Sequence, residues 1–295
     1  MASFTKNIAL FLLQMIPDSR VMNHLINQLN HFRLHGRFMV RGRLSDINDY
    51  IFSVKNSPYS ASYGFFIDKE TAKSFVASVF GERYIIPTLG IFRDVDALSR
   101  FEYPTAYVVK PTHMSQKVLF KDGGRLTSQE LQQCGKWLKY SYFARTRQYN
   151  YRFLEPKIII EPFVGVGGKV PPDFKFFVVK GKCQLIQVDY GRFADRSSDF
   201  YDPDWNKLDI QMGFGNSPYY VNAGAALEHM KELAEKIGAC FEFIRVDLYL
   251  TEQGIKFGEY TFTPGLRFEP AELGKAMYTK ILAARQKQEQ LWCAF

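Results

Sequence analysis

The apolar positions change period several times along the chain, and each change marks an element. From Asp68 to Phe80 the spacing is helical: Ala72, Phe75, Val76, Val79 and Phe80 form one stripe, Asp68 sits at the N-cap position and Gly81 ends the run. Thr127 and Glu130 carry a capping-box signature, which predicts a helix running to about Tyr142. A third helical stripe joins Ala226, Met230, Leu233, Ala234 and Ile237. Between the helices lie short extended runs. Tyr107-Val108-Val109 ends at Lys110-Pro111, and Ile158-Ile159-Ile160 ends at Glu161-Pro162. The runs 176–179 and 184–188 flank a Lys180-Gly181-Lys182 turn, and the runs 243–250 and 255–260 flank Gly254. Helices alternating with antiparallel hairpins predict an α+β layered fold rather than a doubly wound sheet.

At 295 residues the chain exceeds one small core and is read as two or three packed subdomains. It has 27 Phe and 17 Tyr and no low-complexity stretch, a composition that argues for extensive burial and against disorder. The net charge of +8 suits an anionic partner, but no run of five basic residues occurs, so nucleic acid is not expected. Ile8 to Ile16 is one apolar run ended by Pro17. It falls short of the about 20 residues that span a bilayer and lacks a signal-peptide cleavage site. A first helix packed on the body is the leading reading of this run, and loose docking on a membrane surface the second. Of the cysteines, Cys134, Cys183, Cys240 and Cys293, none form CxxC, and Cys183 and Cys240 lie in apolar runs that read as buried thiols. A reducing, cytoplasmic location follows as the default.

The chemistry concentrates at two places. Arg245, Asp247 and Tyr249 alternate along one strand and therefore share a face. Glu259 lies on the next strand, and pairing around Gly254 brings it toward Asp247. Two carboxylates with few other ligands suit Mg²⁺, which keeps waters and substrate phosphates as its remaining ligands. A structural Arg245–Asp247 ion pair explains the same residues equally well. Lys175 alternates out of an apolar strand, so its charge needs a partner, either a phosphate or a carboxylate. Lys110 closes a buried strand and leads into Pro111-Thr112-His113-Met114-Ser115-Gln116-Lys117. Glu161-Pro162-Phe163-Val164 reads by its residues alone as a strand stopped by proline.

These segments resemble ATP-grasp ligases. Arg245-x-Asp247 followed by Glu259-Tyr260-Thr261 and a Pro264-Gly265 turn is similar to that family's metal-binding end, with Thr261 standing where Asn is usual. The nearest resemblance is to the TupA-like ATP-grasp family, associated with teichuronopeptide and other bacterial surface polysaccharides. It is carried by Lys110 to His113, Pro171 to Phe177, Gln187 to Asp189, Asp199-Phe200-Tyr201-Asp202-Pro203-Asp204-Trp205-Asn206-Lys207-Leu208 and Phe243 to Gly265.

The resemblance implies an ATP-grasp fold, two α/β subdomains clamping ATP behind an N-terminal helical region. It divides the chain into residues 1–66, 67–109, 110–164 (phosphate loop and hinge) and 165–295 (metal and substrate side). It implies ATP and Mg²⁺ as cofactors. Asp247, Glu259 and Thr261 would hold the metal. Lys110, Ser115, Lys117 and Lys175 would meet phosphate, while Glu161, Phe163 and Val164 would form the adenine-reading hinge. Arg245 and Arg192 would stabilise an oxyanion. The phosphate loop here lacks the glycines such loops use. The implied activity is carboxylate–amine ligation through an acyl phosphate on an acidic sugar or amino acid. The alternative is a non-hydrolysing, glycan-binding relative. The 199–208 segment is read as a substrate-side loop anchored by Phe200, Tyr201 and Trp205.

Overall fold

The computed structural model describes residues 16–40, 44–166, 168–191, 196–218, 224–265 and 267–293, with side chains described to residue 286. In chain order the α-helices of five residues or more are α1 (Arg20–His35), α2 (Ile47–Asn56), α3 (Lys69–Phe80), α4 (Val95–Arg100), α5 (Ser128–Leu138), α6 (Tyr142–Thr146), α7 (Ala225–Gly238) and α8 (Ala271–Cys293). The strands are β1 (Gly90–Phe92), β2 (Tyr107–Pro111), β3 (Leu119–Lys121), β4 (Ile158–Pro162), β5 (Asp173–Val179), β6 (Lys182–Tyr190), β7 (Ser197–Tyr201), β8 (Lys207–Leu208), β9 (Phe243–Thr251) and β10 (Gly254–Thr261). The described chain divides into two compact units. One runs to Phe38 and adds Lys55–Phe75 and Ile86–Phe163; the other comprises Met39–Val54, Val76–Ile85 and the chain from Val164. The expected run Ile8 to Met15 lies outside the described residues.

The first unit contains an antiparallel sheet of order β1-β4-β2-β3. Its core is built by Tyr107 and Val109 of β2 and Ile158 and Ile160 of β4, packed with Leu98, Cys134 and Trp137 from α4 and α5. Alternate residues of each strand face this core, as period-2 patterning requires. The capping box is present: Thr127 Oγ1 accepts from Glu130 N, and Glu130 returns a carboxylate oxygen to Thr127 N. That helix stops at Leu138, short of the expected Tyr142, because Ser141 caps a separate helix, α6. Asp68 does cap α3, accepting from the backbone of Glu70 and Thr71 at 3.0 and 3.2 Å. The expected α3 stripe needs correction, since Val79 is 56% exposed while Lys73 is buried in its place. A lysine can occupy that face because a carboxylate meets it there.

The second unit contains a six-stranded antiparallel sheet of order β10-β9-β5-β6-β7-β8. Its core unites Phe177, Leu185, Phe200 and Phe243 with Ile47 and Ile51 of α2 and Met277 and Ile281 of α8. The β5–β6 turn places Lys180 at φ 47° and Gly181 at φ 74°, the paired left-handed conformation of a tight hairpin. On α7, Leu227 rather than Ala226 is buried beside Met230, Leu233, Ala234 and Ile237. Cys183 is buried as expected, but Cys240 follows the end of α7 and is exposed.

The Asp199–Leu208 segment is a hairpin of the sheet rather than the loop expected from the sequence, and its expected anchors Phe200, Tyr201 and Trp205 are buried. Asp202 accepts from the backbone of Asp204 and Asn206, both at 2.9 Å, and shapes the β7–β8 turn. Trp205, 2% exposed, packs against Phe174, Phe176 and Tyr201.

One irregularity positions the acidic residues. The β9–β10 register shifts between Phe257 and Glu259, so that Glu259 lies directly opposite Asp247. Gly258 is the residue at the shift, and a Cβ there would stand 2.9 Å from the Tyr249 ring and 3.0 Å from the Asp247 carbonyl. Replacing Gly258 with Ala should therefore cost about 1–3 kcal/mol, by overpacking. Chemical denaturation checks this; a loss below about 0.5 kcal/mol would show that the bulge tolerates a side chain.

Candidate functional site

The first unit holds a buried acid between two lysines. Glu161, 4% exposed on β4, accepts from Lys73 Nζ at 2.7 Å and from Lys110 Nζ at 2.6 Å. Burial alone would push this carboxyl up, but the two lysine charges outweigh it and hold the group below the usual range. Lys73 also donates to Thr88 Oγ1 at 2.8 Å. Its own side chain is almost covered, whereas that of Lys110 is 22% exposed. Lys110 is thus the cation of the pair that can meet an incoming anion.

Sequence reasoning missed Lys73. The available signal was a lysine interrupting the apolar stripe of α3 at a buried position. It also placed the hinge function of Glu161 in its backbone, whereas the structure gives the carboxylate two salt bridges. The Phe163 N–H donates to the Ala106 carbonyl at 3.1 Å, so that hinge donor is already committed and is not available to read a base. Val164 is half-buried in the loop that opens the second unit.

The loop after β2 solves its lack of glycine in its own way. Gln116 takes φ 62°, the left-handed conformation usually left to glycine. Ser115 is half-buried and Lys117 is exposed. The base of the loop is fixed by Lys69 Nζ, which donates to the Met114 carbonyl at 2.8 Å. His113 is buried, and its Nε2 faces the Trp137 and Tyr140 carbonyls, each at 3.2 Å. Burial depresses its pKa and so favours the neutral ring.

The second unit assembles a denser constellation from strand register. Glu259, Asp247, Lys175 and Gln187 stand opposite one another across β10, β9, β5 and β6, forming one row on one face of the sheet. The next row aligns Asp173 with Asp189 and Ser198, and the row on the other side aligns Thr261 with Arg245 and Phe177. Period-2 alternation therefore brings together residues scattered over nearly ninety positions. Toward Phe177 the same face becomes apolar core.

Lys175 is buried among three carboxylates: its Nζ bonds Asp173 and lies 3.3 Å from Asp189 and 3.8 Å from Asp247. Burial opposes its charge, yet these acids outweigh burial and raise its pKa. Arg245 grips Asp247 through two hydrogen bonds of 2.6 Å each. Its Nη2 also donates to Thr261 Oγ1 at 3.0 Å, and Glu259 Oε1 lies 3.6 Å away. Burial pushes the Asp247 carboxyl up to about 6 against the pull of Arg245 and Lys175. Asp189 moves the other way: burial is outweighed by Lys175 and by hydrogen bonds from Ser198, Gln187 and Arg196, which hold it at about 2. Sequence reasoning gave Asp173 and Asp189 no role. Their signal was alternation with Lys175 and Gln187 on paired strands.

Of the two partners open for Lys175, phosphate or carboxylate, the structure shows carboxylates, and the Arg245–Asp247 ion pair that the sequence allowed is formed. None of Lys110, Lys175 or Asp247 is an uncompensated charge, so their burial does not by itself require a ligand. Arg192 lies outside the described residues.

The donor set nonetheless fits Mg²⁺. All candidate ligands are hard oxygens: the carboxylates of Asp247 and Glu259, with the Thr261 hydroxyl 3.3 Å from Glu259 Oε1. Four described carboxylates (Asp173, Asp189, Asp247 and Glu259) face three cations (Lys175, Arg245 and Arg196), leaving negative charge in excess. Asp173 Oδ1 is buried without a hydrogen-bond partner, an atom that a nearby cation would satisfy. Among the described residues no group of three or more His, Cys, Asp or Glu is arranged to hold a metal alone. Phosphate oxygens or waters would have to complete the shell, which is how Mg²⁺ is commonly bound.

Comparison with known proteins decides the lineage. The family model of TupA-like ATP-grasp proteins matches residues 54–282, which include every described residue of both clusters. The chain belongs to the TupA-like ATP-grasp family. Its fold is the α+β ATP-grasp fold, built here on two antiparallel sheets. No curated protein matches this family member. Among solved structures it is similar to the D-alanine–D-alanine ligase of Bacillus anthracis, at 13% identity and TM-score 0.49, covering 78% of this chain and 71% of that one. It is also similar to the ATP-grasp ligase PsnB, at 11% identity and TM-score 0.43, covering 78% of this chain but only 62% of PsnB. A third is the D-cycloserine synthetase DcsG, at 16% identity and TM-score 0.43, covering 75% of this chain and 70% of that one.

Proposed function

We propose that this TupA-like protein is an ATP-dependent carboxylate–amine ligase working through an acyl phosphate. The observation that carries the proposal is the row Glu259–Asp247–Lys175, occurring in a chain whose family match spans both charged clusters. Membership of the ATP-grasp family supports ATP-dependent ligation as the class of activity.

In this reading a substrate carboxylate attacks the γ-phosphorus of ATP, releasing ADP and forming an acyl phosphate. An amine then adds to the acyl carbon, expels phosphate and loses a proton to leave the amide. In the first unit, Lys110 offers its ammonium to phosphate oxygens, with Lys73 and Glu161 holding it in place. In the second, Asp247 and Glu259 would hold Mg²⁺, with Thr261 beside them. The metal supplies charge neutralisation at the phosphates. Arg245 orients Asp247 through its two-point bond and contributes positive charge where an oxyanion develops. Lys175 balances the acids that would otherwise repel one another. No protein nucleophile takes part, because positioning and electrostatics carry the chemistry.

The substrate class is proposed from the family's association. The carboxylate belongs to a uronic acid or an amino acid, joined to an amine in bacterial surface-polysaccharide synthesis in the cytoplasm, whether of capsule, O-antigen or teichuronopeptide. Nucleic acid has no part in this reading. One observation favours a second reading, a glycan-binding relative that no longer turns over ATP: the charged residues of each cluster are already paired within the chain.

Phosphate release separates the two. With Mg²⁺ and ATP, a panel of uronic and amino acids combined with amines should give ADP and phosphate only when both a carboxylate and an amine are present. ATP binding without phosphate release across the panel would support the second reading.

A further inference from the structure

Helix α1 is inverted. Its buried residues are Asn23, Ile26, Asn27 and His31, and three of the four are polar. Its exposed residues include Val21 at 68%, Leu25 at 49%, Leu29 at 62% and Phe32 at 47%. At about 100° per residue these four fall within an arc of roughly 80°, opposite the buried polar face. The stripe continues past the Gly36 cap, where the exposed Phe38 stacks on Phe32 with ring centroids 4.7 Å apart.

The polar face explains how the helix is held. Asn23 donates to Asp18 and to the Tyr149 hydroxyl at 2.8 and 3.1 Å, and accepts from Arg147 at 3.1 Å. Asn27 donates to the Asn56 side chain and the Arg147 carbonyl, both at 3.0 Å. Hydrogen bonds thus anchor α1 on one side, while the apolar residues that normally do this stand in solvent. A soluble chain gains nothing from that arrangement alone, and a contiguous exposed apolar patch marks an interaction surface.

The charge around the stripe identifies the partner. Between Ser19 and Leu44 the sequence holds five arginines (Arg20, Arg33, Arg37, Arg41 and Arg43) and no acidic residue. On the helix, the exposed Arg33 borders one edge of the stripe, with His24 and the half-buried His35 along the other. An apolar stripe edged by basic residues is the pattern of a helix that lies in a bilayer interface among anionic headgroups. No described helix is long and apolar enough to cross a membrane, so the contact is with the surface. We propose that Val21, Leu25, Leu29, Phe32 and Phe38 form a docking face that seats this protein on an anionic lipid surface. The proposal is independent of the ligase reading, since none of these residues belongs to either charged cluster.

Vesicle co-sedimentation of the full chain tests it, using phosphatidylcholine vesicles with and without phosphatidylglycerol. The wild type should sediment with the anionic vesicles, and less so as salt is raised. The double variant L25Q/L29Q should bind them at least about tenfold more weakly, with unchanged circular dichroism and melting temperature. Both positions are exposed and glutamine is a good helix former, so the fold should survive. R20Q/R33Q supplies a second arm and should flatten the salt dependence. Equal binding by wild type and L25Q/L29Q would overturn the proposal, as would wild type that binds neither vesicle. A lipid-free dimer that L25Q/L29Q dissociates would also overturn it, assigning the face to a second copy of the chain.

Discussion

Replacing Lys175 with Met is expected to cost about 3–5 kcal/mol of folding stability, the usual result of removing one partner from a buried ion network. At roughly 2–4 °C per kcal/mol, the melting temperature should fall by about 10 °C. Lys175 touches Asp173, Asp189 and Asp247, and without it the four acids face, among the described residues, only Arg245 and Arg196. Methionine fills similar volume, so the loss is electrostatic rather than steric.

A pH series gives this prediction its signature. In the wild type the raised Lys175 pKa means its contribution is intact at neutral and acid pH and is lost only as pH rises through that value. In the variant the acids lose their cation, and Asp189 no longer sits near 2. Carboxyls whose folded pKa rises above the unfolded value bind protons first in the folded state, so the variant gains stability as pH falls toward 4. The deficit relative to wild type should therefore be larger at pH 8 than at pH 5. A deficit under about 1 kcal/mol, or one independent of pH, would mean that Lys175 is not the electrostatic keystone of the cluster.

The second large effect is functional. Asp247→Asn should abolish Mg²⁺-dependent nucleotide binding while the protein stays folded. Asn keeps the shape and one acceptor for Arg245 but removes the charge opposite Glu259. Among the described residues the cluster carries excess negative charge, so losing one carboxylate leaves it closer to neutral, and the expected destabilisation is only about 1–3 kcal/mol, that of a weakened charged hydrogen bond. Titration calorimetry with Mg²⁺ and ATP reads the binding, and circular dichroism reads the fold. Unchanged affinity in a folded Asp247→Asn variant would remove Asp247 from the metal site and leave it as a structural partner of Arg245.

How much of this was legible in the sequence depends on which interactions were local. The capping box at Thr127–Glu130, the Lys180-Gly181 turn and the meeting of Asp247 with Glu259 are short-range, and spacing alone predicts them. The α+β character followed from alternating hairpins and helices, the ATP-grasp likeness from Arg245-x-Asp247 with its downstream Glu259 and Pro264-Gly265, and the TupA-like family above all from the Asp199–Leu208 run. What could not be read was pairing across the sheet. Asp247 meets Lys175 only because β9 pairs with β5 on the side away from β6, an order that no local pattern encodes. Lys73 was missed because its partner Glu161 lies 88 residues away. The 199–208 segment, read as a loop anchored by Phe200, Tyr201 and Trp205, has those three buried as anchors but forms the β7–β8 hairpin, because the β6–β7 pairing that extends the sheet is not marked by a tight turn.

The measurement that tests the central claim most directly is the thermal stability of the wild-type chain with Mg²⁺–ATP, Mg²⁺–GTP and ATP without metal. A ligand present at about 100 times its Kd adds roughly 2.7 kcal/mol, a shift of several degrees. The account predicts that shift for Mg²⁺–ATP, little for GTP or for metal-free ATP, and its loss in Lys110→Ala and Asp247→Asn. No shift with Mg²⁺–ATP at any concentration up to millimolar would contradict it.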